Sequence, residues 1–224
     1  MRLADLSWPD VAERAAAGAI LAVPVGATEQ HGPHLPLSTD TDIALALCDR
    51  LSDKHPDVLV APAVAFGSSG EHAGFAGTLS IGQAATELLL LELGRSAAET
   101  FARLLFVSAH GGNAAPVARA VARLRAESRD VSVFQPRWDG DPHAGRPETS
   151  LQLALRPSVV RMDQAAAGDR RPLGEVLPLL REGGVRAVSR TGVLGDPTAA
   201  TAPEGNALLD ELTAQLVSQV DGWR

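Results

Sequence analysis

Glu29, His31 and Asp40, three residue types that together can bind a metal ion, fall in one short polar stretch, residues 26–40. Carboxylate and imidazole ligands without cysteine suit a divalent ion such as Zn, Fe or Mn. Glu29 and His31 are two positions apart, which in extended chain turns both side chains to the same side. Asp40 stands where a helical pattern opens behind Ser38 and Thr39. It reads equally as an N-cap aspartate and as a ligand oriented by helix-terminal amides. His110 closes the cleanest buried-strand pattern in the chain, and Gly111 and Gly112 after it let a ligand approach the backbone. His143 lies in an irregular loop, and Glu148 opens the helical stretch that follows. Of the six histidines, His55 beside Pro56 reads as an exposed surface residue. The other five follow expected strands and so gather at one sheet edge.

The elements that must position these groups alternate. Ser7 and Pro9 open a helix that Gly18 ends. Residues 19–25 form an apolar run that reads as a strand buried on both faces. The pattern predicts further strands over 58–64, 104–109 and 131–135. Helices are expected over 42–54, with Cys48 inside, and over 84–103, 114–128, 148–155, 173–182 and 203–220. Residues 78–81 read as a short extended piece. Arg119, Arg123 and Arg125 read as a solvated helix face. Strands alternating with helices predict an α/β fold with three α/β/α layers and a mostly parallel, Rossmann-like sheet. No repeat or linker divides residues 1–224, so one domain is expected. In such sheets ligands bind at the carboxyl ends of the strands, where the polar loops fall.

Composition narrows the function classes. The net charge of −7 argues against nucleic acid as the main partner. No apolar run reaches the ~20 residues of a membrane span, and the early acidic residues do not read as a signal peptide. Cys48 is the one cysteine, so no internal disulfide forms, and a cytoplasmic location is expected.

Residues 29–37 (Glu-Gln-His-Gly-Pro-His-Leu-Pro-Leu) with Asp40, then His110-Gly111-Gly112-Asn113, then His143-Ala144-Gly145 with Glu148-Thr149-Ser150, resemble the creatininase (creatinine amidohydrolase) family. The motifs come in the family's order over nearly the whole chain. The resemblance implies a homo-oligomeric hydrolase with two divalent metal ions per subunit. It implies that Glu29, Asp40 and His110 hold one ion, and that His31 and Asp40 hold the other. Creatininase itself has a carboxylate two residues after the strand-end histidine, where this chain has Gly112, and Glu148 is expected to replace that ligand. The glycine pair also removes an aromatic wall, so creatinine is not the expected substrate. Gly70-Glu71-His72, residues 75–82, 141–145 and 192–198 resemble a branch of the family that trims a ribosomally made peptide. For that branch the substrate is a modified precursor peptide, which loses a C-terminal Val-Tyr dipeptide.

The chemistry expected is hydrolysis by water activated between two ions. Its oxyanion would be stabilised by metal and by backbone N–H groups at Gly111, Gly112 and Asn113. His143 is the expected general acid/base, with Glu148 the second catalytic candidate. Glu71, His72, Gly111 and Gly112 are expected to contact substrate. His34 reads as either structural or a group orienting Glu29 or His31, and Trp138 as a pocket wall or core. Three rival readings stand beside this one. A serine hydrolase would use Ser108 or Ser150, though no Gly-x-Ser-x-Gly elbow is present. A nucleotide-binding module lacks both a Gly-x-Gly-x-x-Gly loop and a Walker lysine. Another member of the same family could open a small cyclic amide or a formamide.

Overall fold

The computed structural model describes residues 1–223. Four strands, β1 (Ile20–Val25), β2 (Val58–Val60), β3 (Arg103–Ser108) and β4 (Asp130–Phe134), form one parallel sheet in the order β2-β1-β3-β4. Their residues are buried on both sides because helices cover both faces. On one face, Ile20, Ala22, Leu105 and Val107 pack against α2 (Thr39–Lys54), α5 (Arg146–Leu155) and α7 (Ala202–Trp223). On the other, Leu21, Val23, Leu104 and Phe106 meet α1 (Trp8–Ala16), α3 (Gly82–Ala97) and α4 (Ala114–Ala126). The three-layer α/β architecture expected from the sequence is thus the one observed. Among the described residues no helix is long and apolar enough to cross a membrane.

The chain begins in the middle of the sheet at β1, places β2 on one side, then crosses to β3 on the other. Loops leaving β1 and β3 therefore diverge and open a crevice at the carboxyl ends of these strands. Residues 26–38 and 109–112 occupy it.

Several boundaries differ from expectation. The strand expected over 58–64 stops at Val60, because Pro62 has no N–H to donate; Val64 keeps one isolated bridge to Val25. The helix expected to Arg103 ends at Ala97, since Arg103 already pairs with Ile20 in the sheet. The extended piece at 78–81 is reduced to a single bridge, Gly67 to Ser80. The helix expected over 173–182 continues to Val188 as α6 (Leu173–Val188), broken at Gly184 (φ 68°). His55 is half-buried 3.5 Å from Asp221 rather than exposed. Cys48 is buried, and Arg119 and Arg123 form surface ion pairs with Glu87 and Glu127, as a solvated face requires.

α5 and α7 pack together most intimately at Gly205, where an added Cβ would lie 1.8 Å from the Ser150 carbonyl oxygen. Alanine normally improves a helix interior, but here it must push apart the helix carrying Glu148. Gly205→Ala is expected to lower stability by about 1–3 kcal/mol in urea unfolding. An unchanged or raised midpoint would contradict this packing.

Candidate metal centre and active site

The turn after β1 brings Glu29 and His31 into the crevice, and α2 begins behind it. Ser38, not Asp40, occupies the N-cap position. Asp40 lies in the first turn of α2 and is buried, so its N-cap reading falls. His110 ends β3. Glu148 sits in the first turn of α5, which begins at Arg146 rather than at Glu148. These five side chains, drawn from four places in the chain, meet in two triads that share Asp40. Glu29, Asp40 and His110 offer ligand atoms within 4.8 Å of one another, and so do His31, Asp40 and Glu148.

The imidazoles are held as metal ligands are held. His31 Nδ1 donates to the Glu29 carbonyl oxygen at 3.2 Å, leaving the Nε2 lone pair 3.4 Å from Asp40 Oδ1 and 3.9 Å from Glu148 Oε2. His110 Nε2 donates to the Ser68 carbonyl oxygen at 2.9 Å, leaving Nδ1 3.5 Å from Asp40 Oδ2. Yet His31 Nε2, Asp40 Oδ2 and both carboxylate oxygens of Glu29 are buried without any hydrogen-bond partner. Buried acceptors are rarely left this way, since each costs about 1–3 kcal/mol. The donor set is nitrogen and oxygen, and its orphaned atoms point at common centres. It fits divalent cations.

The charges agree. Burial, and then the Asp40 charge, hold the Glu29 carboxyl well above the usual range. Burial lifts Glu148 to about 7 against the opposing pull of His31. Burial alone would depress His31, but Asp40, Glu148 and Glu29 raise it to about 10. The crowded carboxylates and imidazoles thus favour binding positive charge, as protons or as a cation.

His143 offers a ligand atom within 4.8 Å of those of Glu29 and His31, making a third such group. Its ring is 4.4 Å from that of His31, and its Nδ1 is 3.9 Å from Glu29 Oε1. Its Nε2 donates to the Gln30 carbonyl oxygen at 2.9 Å, which leaves Nδ1 as the free base. Burial, reinforced by the neighbouring histidines, holds its pKa well below the ordinary value. An antiparallel bridge to Leu194 fixes the His143 backbone.

Sequence-predicted residues elsewhere fall as follows. Glu71 and the glycine pair Gly111 and Gly112 line a cavity of about 1230 Å³ above the cluster. His72 also lines it but is buried, with Nε2 3.2 Å from Glu29 Oε1 and Nδ1 accepting from Gln30 Nε2 at 2.8 Å. His34 bonds Thr149, next to Glu148, rather than Glu29 or His31. Trp138 both lines the cavity and packs on the core. The Asn113 N–H is spent on the His110 carbonyl, which removes it as an oxyanion donor. Ser150 is engaged by Glu204 and the Thr201 amide, and neither it nor Ser108 has a histidine partner among the described residues.

The structure also explains Gly112. A Cβ there would meet Glu71 Oε1 at 2.3 Å and the Ser68 carbonyl oxygen at 2.3 Å. Glu71 thus occupies the space of the missing side chain, and its Oε1 lies 3.5 Å from His110 Nε2. Sequence reasoning missed three supporting residues. Gln30 ties His72 to the Gly192 carbonyl. Asp141 accepts from the Arg146 and Asp196 amides, joining two loops. Asn113 clamps Ser68 and Gly26. An amide or carboxylate flanked by glycine turns was the available signal for each.

Comparison with known proteins decides the family. The model for creatininase, described as creatinine amidohydrolase, matches residues 4–220. The chain belongs to the creatininase family. A mycofactocin precursor peptide peptidase of Mycobacterium ulcerans (strain Agy99) is 50% identical over 215 residues, covering 90% of this chain and 84% of that protein. One from Mycolicibacterium smegmatis (strain ATCC 700084 / mc(2)155) is 49% identical over 213 residues, covering 90% and 84%. A solved structure described as creatininase with Mn superposes with a TM-score of 0.86 at 24% identity, covering 98% of this chain and 96% of that one. The creatininase fold therefore extends over almost all of this chain.

The raised pKa of His31 sets a pH dependence for chelator-treated protein. An unfolded histidine titrates near ~6.5, whereas folded His31 holds its proton to about 10. Its contribution is complete below pH ~6.5 and is lost as pH rises through about 10. Thermal melts in chelator should show Tm falling between pH 7 and pH 10, and His31→Gln should flatten that fall. A flat wild-type profile would contradict the assignment.

Proposed function

We propose that this chain is a metal-dependent peptidase acting on the modified mycofactocin precursor peptide, hydrolysing the amide bond that releases a C-terminal Val-Tyr dipeptide. The observation that carries the chemistry is the set of buried, unpartnered donors on Glu29, His31 and Asp40 at the floor of a large cavity. The relatives' names and their half-identical sequences support the substrate. So does the cavity, since about 1230 Å³ exceeds what a small cyclic amide or formamide needs.

In this reading Glu29, Asp40 and His110 hold one divalent ion, and His31, Asp40 and Glu148 the other, with Asp40 shared. Bound ions supply an acidified water and a polarised amide carbonyl. The chain's residues do the rest. The Glu29 and Ser68 carbonyls, bonded by His31 Nδ1 and His110 Nε2, fix which nitrogen of each ring would face an ion. His143, neutral and with Nδ1 free, takes up the proton of the attacking water and hands it to the leaving amine. The N–H groups of Gly111 and Gly112 are the backbone donors left for the oxyanion. Glu71 and His72 border the peptide where it enters. We also infer a homo-oligomer in the cytoplasm; the exposed Leu79 and Leu88 support association.

Metal-loaded protein incubated with the modified precursor is expected to release Val-Tyr by mass spectrometry, and an intact precursor would sink the substrate assignment. Asp40→Ala should lose both ions and all turnover; full occupancy by elemental analysis would refute the shared ligand. Glu148→Gln should lower stoichiometry toward one ion per chain. His143→Ala should keep its metal while kcat falls about 10²–10⁴-fold, and loss of metal would instead make His143 a ligand.

A further inference from the structure

Glu29 has two carboxylate oxygens, and its triad with Asp40 and His110 needs only one of them. Oε2 lies 3.1 Å from Nε2 of His110, a member of that triad. Oε1 lies 3.2 Å from Nε2 of His72, which belongs to neither triad. Both side chains are buried, and a small turn of the carboxyl would align this contact as a hydrogen bond.

A neighbouring amide decides which nitrogen of His72 carries the proton. Gln30 Oε1 accepts the Gly32 N–H at 2.9 Å, so the NH2 group of Gln30 is turned toward His72. Its two hydrogens go to His72 Nδ1 at 2.8 Å and to the Gly192 carbonyl oxygen at 3.3 Å. His143 Nε2, 3.0 Å from the same NH2 group, gives its own proton to the Gln30 carbonyl oxygen. His72 Nδ1 therefore accepts, and the proton of the ring stands on Nε2, the nitrogen that faces Glu29. His143 Nδ1, 3.9 Å from Glu29 Oε1, carries no proton to give. The backbone of His72 is fixed as well. It closes the 3₁₀ turn Gly70–His72, and its N–H bonds the Ser69 carbonyl oxygen at 3.0 Å. α6 packs on that turn, since a Cβ at Gly184 would lie 2.6 Å from the Glu71 carbonyl oxygen.

We propose that His72 is a positioning residue: with its tautomer set by Gln30, it donates to Glu29 Oε1 and leaves Oε2 as the oxygen that Glu29 offers to an ion. This deepens the metal-site part of the proposed function and rests on it. It gives His72 a part other than substrate contact, because both ring nitrogens are committed inside the protein. A carboxyl that can turn presents either oxygen or both, whereas one held from behind presents a fixed lone pair. Outer partners of this kind are worth about 10–100-fold in metal affinity.

Two measurements test the relay. NMR of the ring nitrogens, in zinc-loaded wild type carrying isotopically labelled histidine, reads the tautomer of His72 directly. The proton is expected on Nε2 with Nδ1 bare; a proton on Nδ1, or an Nε2 bound to zinc, overturns the proposal. Competition with a chelator reads the two zinc-binding steps. In His72→Phe one step should weaken about 10–100-fold while the other persists. His72→Gln, which restores an N–H donor, should recover most of that loss, and Gln30→Met should weaken the same step. Equal affinities in wild type and His72→Phe, or no recovery in His72→Gln, overturn the relay and leave the two-ion reading. A wild type that takes up no zinc overturns both.

Discussion

The structure depends on keeping strong polar groups buried and apart. Glu29, Asp40, Glu148, His31 and His110 are withdrawn from water, and several of their atoms make no hydrogen bond. Left to themselves, carboxylates and imidazoles 3–4 Å apart would collapse into ordinary ion pairs. Here the contacts stay at 3.1–3.5 Å, with three of the five groups anchored behind them. His31 is held through its own turn and His110 through the Ser68 carbonyl. Glu148 accepts the Ala144 amide at 2.5 Å. The cost is borne by the sheet and the two apolar layers that fix those anchors. A fold selected for stability alone would replace this cluster with well-packed apolar side chains.

The strand order makes the arrangement possible. With β1 in the interior and the chain crossing from β2 to β3, the loops after β1 and β3 part at their carboxyl ends. α2 and α5 then present their first turns to the gap, so Asp40 and Glu148 arrive on rigid backbone. Around this floor lie the loops that line the cavity. Here a glycine at 112 yields its volume to Glu71, and the broken helix α6 closes over the turn that carries Glu71, with Arg186 bonding the Gly74 carbonyl.

Much of the floor was legible because its residues sit at element ends. Glu29 and His31 follow an apolar strand, His110 closes one, and Asp40 and Glu148 open helices, so spacing and periodicity bring them to one sheet edge. The helix and strand order was readable for the same reason, except where Pro62 shortened β2 and where Arg103 belonged to the sheet rather than to a helix. What stayed hidden was contact between loops far apart in sequence. Nothing in the chain around Gly112 points to Glu71, and nothing around Gln30 points to His72 or Gly192. His34 looked like a partner for its near neighbours and instead holds Thr149.

The central claim is that the orphaned donors receive two ions through a shared Asp40. Anomalous diffraction from crystals grown with manganese tests it directly. Two peaks are expected in the cluster, one among Glu29, Asp40 and His110, the other among His31, Asp40 and Glu148, with Asp40 contacting both. A single peak, or ions bound without Asp40, would contradict the account.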